Sequence, residues 1–200
     1  MTAQTIEHLY QQDLTAELGE DYARRACLPT CFYMLGRATG YLKDISFADF
    51  NQALAQSESY DPGRGWLRPR LSRELRHRYG MSVASWQFSH LDAMTADDQR
   101  QMREAGYFES QREWQWFEQN AYAKPLELIL AAGQPVIVTM KPGFGYNQSV
   151  HAVIASELRG EALTVIDPDR RNPKSTYDLE QFHRLMSPAG AGSVILPVVT

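Results

Sequence analysis

ARRACLPTCFYMLGRATG, residues 23–40, holds both cysteines of the chain, Cys27 and Cys31, on either side of Pro29. Proline has no N–H and clashes with the turn before it, so a helix accepts it only in its first turn. A helix therefore starts near Leu28 and Pro29 and covers residues 28–38, with Cys27 at its N-cap. A thiol at that end faces the positive pole of the helix dipole, which favours the reactive thiolate. Cys31 lies one turn further in, ahead of Phe32, Met34 and Leu35, the position of a buried and inert thiol. Two cysteines four residues apart form neither a disulfide framework nor a zinc-binding spacing. Cys27 alone would also suit a small core residue, but Pro29 puts it at the helix start, and that favours a nucleophile.

Outward from this helix the pattern is helical before and strand-like after. Ile6, Leu9, Tyr10 and Leu14 share a side of a first helix over 5–18. Ser46 with Asp49 is a capping signal for a helix carrying Phe47, Phe50 and Leu54. Leu67, Leu71 and Leu75 predict a helix over 65–79 that stops at Gly80, Thr95 with Asp98 opens another, and Pro125 to Gly133 bound one more. The period then changes. PVIVTM (135–140), VHAVIAS (150–156) and LTVI (163–166) are β-branched runs, with a turn at Gly160-Glu161. A helix over 178–186 and a closing strand, SVILPVV (193–199), complete an α+β pattern with a mostly antiparallel sheet.

A thiol nucleophile needs a base. His77 sits among arginines, His90 in a loop, and His8 and His183 on amphipathic helices. His151 follows the glycine-rich KPGFGYNQS and heads a strand, a junction that holds a side chain at the edge of a cleft. Asp167-Pro168 ends the next strand, and a hairpin at Gly160 would bring Asp167 beside His151, where it could orient the imidazole toward Cys27. Read alone, this pair is better explained as a satisfied strand histidine and an Asp-Pro turn.

Cys27-Leu28-Pro29-Thr30, followed by a hydrophobic helix, resembles the nucleophile motif of the papain-like cysteine peptidases of family C39, a bacterial group that includes domains cutting after double-glycine leaders. VHAVIASELRGEALTVIDPDRRNPKSTYDLEQF is similar to that family's second half. The resemblance covers roughly residues 20–40 and 130–199. It implies a papain-like fold with Cys27 as nucleophile, His151 as base and Asp167 as orienter, a thioester acyl-enzyme, and no cofactor or metal. The family usually has a glutamine about six residues before the cysteine to complete the oxyanion hole. Here Asp21 stands there, and an ionised carboxylate cannot donate. The nearest upstream glutamines are Gln12 and Gln11, and an insertion within AELGEDYARR would bring Gln12 into place.

The 124 residues from Cys27 to His151 exceed what a minimal papain-like core needs, so a helical insertion is expected at about 60–122. It is rich in tryptophan and carries six arginines against one glutamate between Arg64 and Arg78. A solvated helix face with satellite core tryptophans, a wall over the cleft and a dock for an acidic peptide all fit that composition.

The 200 residues suit a single domain, and 44% hydrophobic with 22% charged residues is ordinary globular composition. A net charge of −4 gives no general case for nucleic acid. No apolar run approaches the ~18 residues of a membrane span. MTAQTIEHLYQQDL has neither part of a signal peptide, so a cytoplasmic location is expected. The expected activity is a thiol hydrolase acting on a peptide or protein substrate. An acyl or amide transferase on the same triad, or a silent peptide-binding module, would share these features.

Overall fold

The computed structural model describes residues 5–61, 65–83, 86–88, 125–140, 151–172, 175–186, 193–196 and 198–199. Helix α3 (Cys27–Ala38) is its apolar centre, with every residue from Leu28 to Gly36 buried. Phe32, Met34 and Leu35 are each about 1% exposed, and burying such side chains is worth roughly 1.5–3 kcal/mol apiece. The helix begins at Cys27, with Ala26 as its N-cap, one residue earlier than expected from Pro29.

Two one-turn helices precede it, α1 (Thr15–Leu18) and α2 (Glu20–Ala23), joined at Gly19. Helix α4 (Phe47–Ala55) starts as expected, with the Ser46 hydroxyl accepting from the Asp49 N–H at 3.0 Å. Helix α5 (Arg68–Tyr79) ends at Gly80 in the left-handed conformation, φ +67°. Helices α6 (Pro125–Ala131) and α7 (Leu179–Met186) follow further along the chain.

The strands are β1 (Tyr60–Asp61), β2 (Gly65–Trp66), β3 (Ser82–Val83), β4 (Trp86–Phe88), β5 (Val136–Met140), β6 (His151–Arg159), β7 (Ala162–Ile166), β8 (Thr176–Asp178), β9 (Ser193–Leu196) and β10 (Val198–Val199). Six of them form one sheet in the order β4-β9-β5-β6-β7-β8, with every neighbouring pair antiparallel. Helix α3 packs against β6, next to the end of the sheet where His151 begins its strand. The fold is thus α+β. Among the described residues no helix is long and apolar enough to cross a membrane.

Three expectations change. The first helix is confined to a 3-10 turn at Gln11–Leu14 and α1, because His8, Gln11 and Gln12 bond to a distant turn. The described part of the stretch expected as a helical insertion, up to residue 88, holds α5 together with the short strands β1 to β4. Strand β8 was not expected at all. The helix opened by Thr95 and the segment KPGFGYNQS lie outside the described residues.

Gly36 has a packing role. A Cβ there would lie 2.5 Å from Leu42 Cδ1 and 3.1 Å from Met81 Sδ, and both neighbours are fully buried. Gly36→Ala should cost about 1–3 kcal/mol by overpacking. That outweighs the roughly 1 kcal/mol alanine gains over glycine inside a helix. Thermal unfolding checks this, and an unchanged midpoint would mean that Leu42 yields freely.

Candidate functional site

His151 is the hub. It is 6% exposed, and its Nε2–H donates to Asp167 Oδ1 at 2.8 Å. It also hydrogen-bonds Cys27. With Nε2 committed to the carboxylate, Nδ1 is the ring nitrogen left for the thiol. Cys27 is half-buried at the first position of α3, whereas His151 opens β6 and Asp167 follows the last residue of β7.

The register of the hairpin decides whether His151 and Asp167 can meet. Near the turn the pairs are Arg159↔Ala162, Leu158↔Leu163 and Glu157↔Thr164. Continued without interruption, that register would set Asp167 across from Ile154, on the face opposite His151. Instead Ser156 is an extra residue, and pairing resumes as Ala155↔Val165 and Ile154↔Ile166. One step on, Asp167 lies across from Val153 and shares a face with His151. A shift of one residue moves side chains to the other face of a strand, so the bulge makes the contact possible. The Ser156 hydroxyl donates to the Thr164 carbonyl at 3.3 Å, which ties the bulge to the opposite strand.

Asp167 is 3% exposed, and both of its carboxylate oxygens accept hydrogen bonds. Oδ1 accepts from His151 and from the Asp169 N–H at 2.8 Å, an Asx turn. Oδ2 accepts from Asn172 Nδ2 at 2.7 Å. Burial is the largest single influence on the His151 proton and lowers its pKa. The hydrogen bonds to Asp167 and Cys27, with the charges at both residues, together outweigh it and push the imidazole from the usual 6.5 up to about 10. The group is therefore an imidazolium at neutral pH.

Cys31 is fully buried, and its thiol donates to the Ala152 carbonyl at 3.5 Å. Burial, reinforced by Cys27 and Asp167, holds it well above the usual thiol range, so it stays protonated. His77 is exposed on α5. His8 is not on a helix. Its Nε2–H donates to the Asp167 carbonyl at 2.6 Å, a proximity that helical periodicity could not suggest. Asn172 and Asp169 were also missed, although the density of Asx residues in Asp167-Pro168-Asp169-Arg170-Arg171-Asn172 is itself a turn signal.

The two glutamines separate. Gln12 spends both ends of its amide on the neighbouring turn: Nε2 donates to Asp169 Oδ1 at 2.7 Å, and Oε1 accepts from the Arg170 N–H at 3.2 Å. It is not brought to Cys27 as a spare donor. Gln11 is 2% exposed, and its Oε1 has no hydrogen-bond partner among the described residues. Asp21 is exposed on α2. Trp66 Nε1–H donates to the Arg25 carbonyl at 2.7 Å, which ties β2 to the residues just before Cys27. Among the described residues no group of three or more His, Cys, Asp or Glu could hold a metal ion.

No protein-family model matches the sequence, and no curated protein matches it. Among solved structures the chain is similar to a crystal structure from Bacillus anthracis of a protein provisionally named a C39-like peptidase. The TM-score is 0.52 at 12% identity, over 98% of this chain and 96% of that one. The two share a fold. At that identity the C39-like fold is what the likeness carries, and the chemistry of the site is argued from this chain's own residues.

Proposed function

We propose that the protein is a papain-like thiol hydrolase that cleaves a peptide or related amide bond with Cys27, His151 and Asp167. One observation carries the reading: a buried imidazolium bonded on one side to a cysteine at a helix start and on the other to a carboxylate that two further donors hold in place. An imidazolium beside a thiol favours the thiolate, which is the nucleophile. Cys27 Sγ attacks the scissile carbonyl carbon, and the carbonyl oxygen becomes an oxyanion. The intermediate collapses, the C–N bond breaks, and the leaving amine takes the proton from His151. Neutral His151 then removes a proton from water, which attacks the thioester, releases the acid and restores the thiolate–imidazolium pair. Asp167 holds the ring so that Nδ1 faces sulfur throughout.

The oxyanion requires a donor besides the Cys27 N–H, and we assign that role to Gln11. Its side chain is buried and its Oε1 has no hydrogen-bond partner among the described residues, whereas both ends of the Gln12 amide are used up.

Iodoacetamide at neutral pH tests the nucleophile. Cys27 should be alkylated faster than Cys31 in the folded protein by about 10²-fold or more, the scale of a general acid–base contribution combined with access. Peptide mapping reads the ratio. Faster labelling of Cys31, or no labelling of the folded protein, would overturn the assignment, and the latter result would favour a silent binding module.

A further inference from the structure

Four of residues 8–13 hydrogen-bond to the turn at Asp167 to Arg170. His8 Nε2–H donates to the Asp167 carbonyl at 2.6 Å, and the Gln11 N–H donates to the Pro168 carbonyl at 2.8 Å. Gln12 bridges Asp169 Oδ1 and the Arg170 N–H at 2.7 and 3.2 Å. Arg170 reaches back to Asp13 Oδ1 at 2.6 Å, and its guanidinium lies over the Tyr10 ring at 4.8 Å. Each residue from Asp167 to Arg170 is thus held by a segment more than 150 residues away in sequence.

Within this clasp Gln12 has the shortest route to the imidazole. Its amide bonds the carboxylate of Asp169, which is 1% exposed and is also held by the Arg171 N–H at 2.9 Å and guanidinium at 2.7 Å, and the N–H of Asp169 donates to Asp167 Oδ1, the oxygen that holds His151. The fit is chemical as well as steric. A carboxylate and an N–H side by side require one donor and one acceptor, and among side chains of this length the amide alone offers both. Glutamate would set a second carboxylate against Asp169, and methionine would fill the volume with neither group.

We infer that Gln12 is a positioning residue, which clasps the 167–170 turn and so fixes the hydrogen bond that aims His151 at Cys27. The inference rests on the proposed roles of His151 and Asp167. Its consequence is that the reactivity of Cys27 depends on residues 8–13 being seated, although none of them bonds to the thiol or the imidazole.

Two readouts on the folded protein test it: solvent exchange of the His151 Nε2–H by proton NMR, and the rate of Cys27 alkylation by iodoacetamide. Gln12→Met and Gln12→Glu should each speed exchange and slow alkylation by about tenfold or more, the scale of a small misplacement of a reacting group. The thermal midpoint should stay within a few degrees of wild type, since Gln12 is only half-buried. A purely packing role predicts wild-type behaviour for Gln12→Met, and that result overturns the inference. Asp167→Asn is the control. If it slows alkylation while Gln12→Met does not, the clasp alone fails. If it leaves alkylation unchanged, the role given to Asp167 fails and takes the inference with it.

Discussion

Replacing His151 with alanine is expected to slow the reaction of Cys27 by about 10²- to 10⁴-fold, the span of a lost acid–base partner. The effect should appear both in alkylation by iodoacetamide and in acylation by p-nitrophenyl acetate, because both begin from the thiolate that the imidazolium stabilises. His151→Gln separates chemistry from structure: it keeps a donor for Asp167 Oδ1 but carries no titrating proton, and should be as slow as alanine. The proton also predicts a stability profile. The folded value of about 10 lies above the usual 6.5, so the native state binds this proton more tightly than the unfolded chain. The resulting stabilisation is full below pH 6.5, declines as pH rises, and is gone above about 10. Wild-type thermal midpoints should therefore fall across that window more steeply than those of His151→Gln. If His8→Ala or His77→Ala silences Cys27 while His151→Ala does not, the base has been misassigned.

The helix start was legible because one physical rule acts locally: Pro29 admits few positions, and Cys27 inherits its place from it. The strand runs were legible because β-branched stretches bounded by glycine are local signals too. The meeting of His151 with Asp167 was read from the idea of a hairpin, yet a regular hairpin turning at Gly160 would have set them on opposite faces. Ser156 reverses that, and nothing in SELRGE announces a bulge.

The N-terminal segment failed for the same reason in stronger form. Ile6, Leu9, Tyr10 and Leu14 do have helical spacing, but donors of His8, Gln11 and Gln12 find partners across the fold, at Asp167 to Asp169, and tertiary bonding overrides a weak local preference. Between Gln12 and Cys27 the chain forms α1 and α2, joined at Gly19, φ +81°. It delivers Gln12 to the Asp169 turn, not to a free position. Sequence distance could nominate both glutamines but could not rank them, because the ranking depends on which amide finds a partner 157 residues away.

That ranking leads to the second large effect. Gln11→Met should slow acylation of Cys27 by p-nitrophenyl acetate by about 10²- to 10³-fold, the usual result of removing one oxyanion donor. It should leave alkylation by iodoacetamide at the wild-type rate. The two reagents differ in the way that matters: attack on an ester carbonyl passes through a tetrahedral oxyanion, whereas displacement of iodide at a saturated carbon does not. Stability should hold or rise, because a buried amide oxygen without a partner costs about 1–3 kcal/mol and methionine of similar volume removes it. Retaining so costly an oxygen makes sense if the Nε2–H of the same amide serves the oxyanion. Gln12 variants should behave differently, slowing both reactions together, since they act through the imidazole and not through the oxyanion. The pattern across two reagents and two glutamines therefore identifies each role. If Gln12→Met slows acylation alone and Gln11→Met slows neither reaction, the donor is Gln12 after all, and its bonds to Asp169 and Arg170 must break when substrate binds.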